Sequence, residues 1–521
     1  MKTASLTAVY LEDNLFTEKI RIETIIRKGL PIFRIAGFHS RSRDREERIR
    51  TAILACGIQF PYSTVIVNLS PADRIKDSAL FDLAIAVCVL KAIGSTDIRR
   101  FAADDVLFLG ELSLTGQVRP LPELSSWALS GLDVGFQKVV IPKEAAQNMP
   151  AIAANTNSSP WLGIEHLSDI FEDRAKPVTG CTFKPNESHV SSITLPEKVI
   201  RLLTIAAAGK HGLLLIGPPG AGKSMAAKLL YELLPSPTIQ EQHRIIRNAL
   251  LFRDPTDALA VRPLRQPHHS ITVTGMVGGG VPLRAGEANR ASDGVLLLDE
   301  LAEYDRQVVE ALREPLELHE VIHNRNGRPG RLPARFWLVA TSNPCPCGYF
   351  RSHKRACRCS RLHIDRRRHI LAGPFADRID LQFHYDKEPD SVTLSIEELT
   401  SKIERAAMIQ LSRNNDLYNG ELTGSLIESY GQLADEAAKQ MWQKIKQNAM
   451  TRRKAIGIRR LARTIADLDE AFFIRAEDLK EAQSYTIPED FWEDALPPKS
   501  NPKGNTRQST AVTSQENVKA P

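Results

Sequence analysis

One octapeptide constrains this chain more than any other segment. Gly217-Pro218-Pro219-Gly220-Ala221-Gly222-Lys223-Ser224 fits G-x-x-x-x-G-K-[ST], between an apolar run, Leu213 to Ile216, and a helical stretch, Lys223 to Leu234. Its glycines let backbone N–H groups turn inward around phosphate oxygens, and the N-terminus of the helix adds partial positive charge. Lys223 is then placed to reach the β and γ phosphates, and Ser224 to ligate Mg²⁺. Strand, phosphate loop and helix in that order predict an α/β nucleotide fold that takes ATP or GTP with Mg²⁺.

The second half of such a site follows. Val295-Leu296-Leu297-Leu298 is an apolar strand ending in Asp299 and Glu300. Asp299 would hold the Mg²⁺ water shell, and Glu300, one residue on, can polarise the attacking water. Another strand, Phe336 to Ala340, ends in Thr341-Ser342-Asn343 and puts an amide where a γ-phosphate or the lytic water is sensed. In Ala376-Asp377-Arg378-Ile379-Asp380-Leu381 an arginine precedes a short apolar run. Arg378 either pairs with Asp380 on one surface or reaches a neighbouring subunit's phosphate as a finger.

At 521 residues the chain is long enough for about three domains. Hydrophobic residues at 42% and charged residues at 25% exclude a disordered or fibrous chain. Residues 1–173 mix β-branched runs, such as Thr64 to Leu69, with amphipathic stretches, such as Glu46 to Cys56, and read as an α+β domain. Residues 174–194, with Pro177, Gly180 and Pro185, read as a linker. Residues 195–385 carry the α/β core. Residues 386–493 show helical periodicity alone, and 494–521, rich in Pro, Ser, Asn, Lys and Thr, read as a disordered tail.

The longest apolar stretch, Leu80 to Ile93, is interrupted by Asp82 and Lys91 and falls short of the roughly 20 residues of a membrane span, so it reads as a buried helix. Met1 to Tyr10 shows no secretory pattern, and the cytoplasm is the expected compartment. A surplus of 68 Lys and Arg over 62 Asp and Glu, net +6, does not by itself diagnose a nucleic-acid protein.

Local chemistry says more. Of seven cysteines, Cys345, Cys347, Cys357 and Cys359 crowd into residues 345–359, an insertion in the core. They could fold a loop around one tetrahedral Zn²⁺; the other reading is reduced thiols on a flexible loop, and His353 could replace one sulfur. Arg351, Lys354, Arg355, Arg358, Arg361, Arg366, Arg367 and Arg368 would make that lobe basic. In Asn324-Arg325-Asn326-Gly327-Arg328-Pro329-Gly330-Arg331 the Asn-Gly pair marks a hairpin turn. Such a hairpin would carry Arg325, Arg328 and Arg331 to DNA phosphates without reading bases; otherwise it is a solvated loop. His268 and His269 lack metal-ligand partners at suitable spacing and read as structural.

Together these motifs resemble the ComM/YifB family of magnesium-chelatase-like AAA+ ATPases over nearly the whole chain. The resemblance includes Phe81 to Ala86, Gly110-Glu111-Leu112-Ser113, Pro267-His268-His269, Val277-Gly278-Gly279-Gly280, Gly286-Glu287, Asn343 to Gly348, Asp377 to Leu381 and Arg463 to Leu468. It implies an N-terminal Lon-protease-like domain, an AAA+ core and a helical lid. It also implies that Asn343 is sensor 1, Arg378 a trans-acting finger and Arg453, beside Arg452, sensor 2. Family members form hexameric rings, and the best understood are DNA helicases that drive branch migration in natural transformation. This implies a homohexamer acting on single-stranded or branched DNA; a protein remodeller or chelatase-type subunit is the alternative. Where Lon-like proteases carry Gly-Pro-Ser this chain has Ala79-Leu80-Phe81, and Ser125 stands at the place of their lysine, so a binding or assembly role is expected of that domain.

Overall fold

In the computed structural model the described residues are 1–12, 16–38, 42–71, 78–94, 105–150, 159–172, 174–180, 192–252, 261–280, 283–325, 328–353, 355–385, 391–448, 451–487 and 489–492. The expected tail, 494–521, lies outside them.

Alternating side chains build the first unit. β1 (Lys2–Glu12), β2 (Phe16–Arg27), β3 (Phe33–Ala36), α1 (Ser42–Ala55) and β4 (Thr64–Ser70) give a sheet of order β1-β2-β4-β3. Along β4 half-buried and buried positions alternate, the period of two that lays one strand face on a core. α2 (Phe81–Ile93) is buried along nearly its whole length, so the chain's longest apolar run is a core helix. Among the described residues no helix is long and apolar enough to cross a membrane. Phe81, 1% exposed, packs on Tyr10, Phe38 and Trp127 with ring centroids 6.5, 6.2 and 5.3 Å away. Phe81 thus sits in an aromatic core. After α2 come β5 (Val106–Phe108), the hairpin β6 (Glu111–Leu112) and β7 (Val118–Arg119), α3 (Leu124–Asp133), β8 (Lys138–Pro142), β9 (Trp161–Ile164) and β10 (Lys176–Pro177). Four of these make a second sheet, β10-β9-β8-β5.

The α/β core runs through β11 (Ser192–Pro196), α4 (Glu197–Gly209), β12 (Leu213–Ile216), α5 (Lys223–Glu232), α6 (Ile239–Phe252), β13 (Leu264–Arg265), α7 (Val273–Val277), α8 (Glu287–Arg290) and β14 (Val295–Leu298). It continues through α9 (Arg306–Ala311), α10 (Pro315–Leu318), β15 (Glu320–Arg325), β16 (Arg328–Pro333), β17 (Trp337–Ser342), α11 (Arg361–Leu371) and β18 (Leu381–His384). β13-β14-β17-β12-β18 form one parallel sheet. Every residue of β12, β14 and β17 is buried, as a sheet covered on both faces requires. β12 lies between β17 and β18, both later in the chain, so the loop after β12 opens where the strand order reverses, the ligand position of open α/β sheets.

The last unit starts with β19 (Ser391–Ser395) and continues as α12 (Ile396–Arg413), α13 (Gly424–Tyr430), α14 (Glu436–Asn448), α15 (Arg452–Leu468) and α16 (Ala476–Ser484). Here the structure corrects the periodicity. β19 is a strand where helix alone was expected, and it pairs antiparallel with β11, at the end of the expected linker. β10, at the start of that linker, extends the second sheet. Both strands are short, and the partner of β19 lies far back in the chain, as in the Thr194–Thr393 hydroxyl contact of 2.8 Å, beyond the reach of any local pattern.

A buried ionic cluster fastens the helical unit to the core. Glu421 receives both Arg335 nitrogens at 2.5 and 2.7 Å and lies 3.0 Å from Lys210 Nζ, with the Lys210 and Glu421 side chains each 2% exposed. Burial acts to raise the Glu421 carboxyl, yet Lys210 and Arg335 hold it well below the usual carboxylate range. Removing one partner of such a group leaves an uncompensated buried charge at a cost of about 3–5 kcal/mol, so the cluster fixes the junction.

Candidate functional site

The parallel strands bring the predicted residues to one edge of the sheet. β12 ends at Ile216, paired with Ser342, and β14 ends at Leu298, paired with Ala340. The residues that follow, Gly217, Asp299 and Asn343, therefore emerge side by side.

The loop at 217–224 has the backbone its glycines permit. Gly220 and Gly222 have φ of 69° and 94°, the left-handed region that favours glycine. A Cβ on Gly217 would come within 2.1 Å of the Tyr385 carbonyl oxygen, so only glycine lets the loop pass β18. Lys223 Nζ donates to the Gly217 and Pro218 carbonyls, both at 2.8 Å, and to Asn343 Oδ1 at 3.1 Å. Burial lowers its pKa, opposed by Asp299 and Glu300. The Ser224 hydroxyl lies 3.1 and 3.2 Å from the two Asp299 carboxylate oxygens. Such hard oxygen donors fit Mg²⁺, and the N-terminus of α5 faces the space beside them. Pro219 and Ala221 complete the loop, and Glu300 is exposed at the rim.

Two functional candidates were not visible in the motifs. The first is Thr341. Its hydroxyl donates to Asp299 Oδ1 and accepts from the Glu300 backbone N–H at 3.3 Å. Glu300 stands in the left-handed region at φ 56° and ψ 48°, a conformation a non-glycine residue holds only when its surroundings impose it. Only the alignment of β14 with β17 puts Thr341 beside Asp299. Replacing Thr341 by Val removes one charge-assisted bond, worth about 1.5–3 kcal/mol, and should lower kcat about tenfold or more without raising KM for ATP. Steady-state kinetics on Thr341→Val, with Thr341→Ser restoring the rate, checks this.

The second is Glu317, at the opposite edge. Its Oε1 takes Arg378 Nη2 at 2.8 Å and Arg453 Nη2 at 2.6 Å. Arg378 also donates to the Pro374 carbonyl at 2.5 Å, and its side chain is only 8% exposed. Of the two alternatives for Arg378, the pairing with Asp380 is not formed: Asp380 bonds His211 Nδ1 at 2.9 Å, with Arg460 at 3.8 Å. Among the described residues neither Arg378 nor Arg453 touches this chain's own loop at 217–224. The register explains why. Leu381, which follows Arg378, pairs with Leu213 at the start of β12, whereas the loop follows its end. A four-residue strand spans about 10 Å, so the two arginines and the loop are on opposite edges of the sheet.

The cysteines form the third group. Cys345, Cys347, Cys357 and Cys359 have all four Sγ atoms within 4.8 Å of one another, and His353 is outside that group. Three of the separations are 3.4, 3.6 and 3.6 Å. Tetrahedral zinc with Zn–S of about 2.3 Å places its sulfurs about 3.8 Å apart, so the set fits that metal. Burial pushes the Cys345 thiol up. Burial also acts to raise Cys347, but the Tyr349 and Arg358 backbone and the adjacent thiols bring it down to about 6, the thiolate form that binds metal. Around it Arg355, Arg358, Arg361 and Arg366 are exposed, while Arg367 pairs with Glu303 and Arg351 donates to the Phe491 carbonyl at 3.0 Å.

β15 and β16 form the expected hairpin, with Arg325 opposite Arg328. Asn326 and Gly327 lie outside the described residues. Arg331 is exposed and bonds Glu320 at 2.8 Å. His268 and His269 are exposed with rings 4.0 Å apart; His268 Nδ1 lies 2.8 Å from the Ser270 hydroxyl, and His269 meets the Tyr304 ring edge-on at 6.4 Å, local contacts consistent with a structural role.

Fold and site together define an AAA+ protein of the P-loop ATPase class. Comparison with known proteins agrees. The family model described as magnesium chelatase, subunit ChlI, matches residues 189–392; that of subunit ChlI of Mg-chelatase matches 22–145, and that of the ChlI C-terminal region matches 394–486. The chain is 33% identical over 484 residues to YifB of Escherichia coli, covering 89% of this chain and 94% of that protein. It is 32% identical over 510 residues to competence protein ComM of Haemophilus influenzae, covering 92% and 97%. The chain belongs to the ComM/YifB family of magnesium-chelatase-like AAA+ proteins, a membership that implies ATPase activity.

Proposed function

We propose that this chain is a cytoplasmic, homohexameric DNA motor that hydrolyses ATP with Mg²⁺ and promotes branch migration during natural transformation or recombination. In this reading Gly217 to Ser224 hold the phosphates, Ser224 and Asp299 hold Mg²⁺, and Glu300 polarises the water. Asn343 senses the γ-phosphate, and Arg378 and Arg453 act on a neighbour's nucleotide. Residues 195–385 hydrolyse, 386–493 serve as lid, and 1–173 serve assembly or binding. One Zn²⁺ on the four cysteines shapes the basic lobe beside the core.

The observation that carries the DNA reading is the hairpin of β15 and β16, inserted directly before β17, the strand that leads into Asn343, and holding Arg325 and Arg328 at its tip. A motion at the nucleotide is thereby transmitted to the basic tip through one continuous chain. Similarity to a protein named for competence supports the same reading.

DNA binding through phosphates releases counterions, so affinity should fall by about 0.7 log units per log unit of salt for each phosphate neutralised on a single strand. ATPase rates with and without single-stranded and branched DNA test the function, and the salt dependence of binding tests the hairpin. Replacing Arg325, Arg328 and Arg331 by Ala should reduce the slope by about 2 and leave basal hydrolysis intact. Stimulation by neither DNA, with no DNA bound at low salt, would overturn the reading. It would leave the protein remodeller or chelatase-type subunit that the three chelatase models favour.

A further inference from the structure

We propose that the four-cysteine zinc site is an allosteric site for the nucleotide: zinc on it holds the phosphate loop in its binding form, and nucleotide in turn tightens zinc. The inference rests on the reading of the cluster as a zinc site.

Two independent contacts join the cysteine turn to the loop. On one side, β17 ends at Ser342, Asn343 accepts a hydrogen bond from Lys223 Nζ at 3.1 Å, and Cys345 follows only two residues later, fully buried. On the other side, Gly348 lies against the ring of Pro219. A Cβ at Gly348 would be 2.4 Å from Pro219 Cδ and 2.8 Å from its Cγ, and the residue has φ +81°. The six residues Asn343 to Gly348 therefore hold two of the four sulfur ligands and both contacts to the phosphate loop.

The turn is also held by backbone N–H groups of Phe350, Tyr349 and Arg358 on the Cys345 and Cys347 sulfurs. Its internal tie is the Gly348 N–H to the Cys345 carbonyl at 2.9 Å, and its far side is anchored by Phe350, 2% exposed and stacked at 5.9 Å on Trp492. Cys357 and Cys359 come from the following loop, before α11, and meet the turn through sulfur and backbone N–H groups. Bound zinc converts those contacts into four covalent-strength ligations and cancels the repulsion of clustered thiolates. Pro219 and Asn343 are then held where the loop needs them. Without metal the turn can relax, and the loop loses both neighbours together. Coupling between two such sites is reciprocal by thermodynamic necessity.

The test uses the full chain. Metal analysis of freshly purified, reduced protein first settles the zinc reading: about one zinc per chain is expected, and its absence overturns both that reading and the coupling. On the zinc-loaded protein, adenylyl imidodiphosphate is titrated before and after stripping with a chelator and after adding Zn²⁺ back. Affinity should fall about tenfold on stripping and return with zinc, within the range of measured couplings. In the reverse direction, competition with a chromogenic chelator should show zinc binding tightened by the same factor at saturating analogue, an experiment that needs no variant. Gly348→Ala should keep its zinc yet bind the analogue more weakly. Zinc present in full, with equal nucleotide affinity in loaded and stripped folded protein, would overturn the coupling and leave the zinc site standing.

Discussion

Glu300→Gln should bind ATP as tightly as the unaltered chain and turn it over about 10²–10⁴-fold more slowly, the usual contribution of a general base. The exposed Glu300 side chain stands at the loop's edge, its backbone N–H on Thr341 and its neighbour Asp299 beside Ser224. Glutamine keeps the size and the φ of 56° but cannot draw a proton from water. The substitution leaves Lys223, the loop N–H groups and the N-terminus of α5 in place and removes only the smaller of the two charges, Asp299 and Glu300, that oppose the burial-lowered Lys223 pKa, so affinity should survive. Lys223→Ala has the opposite signature: it removes the ammonium that lies among Gly217, Pro218 and Asn343, and affinity should be lost first. Steady-state hydrolysis paired with nucleotide titration on the same preparation separates the two. Glu300→Gln turning over at the unaltered rate would take Glu300 out of the mechanism.

The contrast between these residues and Thr341 or Glu317 shows what a single sequence makes legible. Leu213 to Ile216 and the helix beginning at Lys223 were readable because strand burial, glycine placement and helix start all act within a few residues. The same holds for α2 and for Val295 to Glu300. Thr341 became meaningful only when Leu298 was paired with Ala340, a contact between segments about forty residues apart. Glu317 is one of several acids on an ordinary helical stretch, and its bond to two arginines depends on how α10 and α15 meet β18 in space. β19 failed locally for the same reason: five residues, Ser391–Ser395, that lead into a helix start offer no period long enough to read. The cysteine cluster is intermediate. Its spacing pointed to a metal, but the contact of Gly348 with Pro219, which ties it to the nucleotide loop, is purely tertiary.

If Arg378 acts as the proposed finger, Arg378→Ala should lower hydrolysis by about 10³-fold, and subunits carrying it should be rescued by subunits that cannot themselves bind ATP. The reason is the register of the sheet. Arg378 precedes β18, whose first residue pairs with Leu213, while the phosphate loop follows Ile216 at the far end of the same strands. No rotamer of Arg378 crosses the sheet, so any phosphate it reaches belongs to another copy. In the single chain its guanidinium is held by Glu317 and the Pro374 carbonyl, with Arg453 on the same carboxylate oxygen. Assembly would exchange that carboxylate for the nucleotide of the neighbour. Mixing Arg378→Ala with Lys223→Ala subunits in equal amounts gives about one interface in four with an intact loop on one side and an intact finger on the other. Activity should therefore rise well above that of either variant alone and disappear again when both substitutions are on one chain. Mixed rings, verified by tag exchange, that hydrolyse no faster than the separate variants would show that Arg378 serves its own subunit or none.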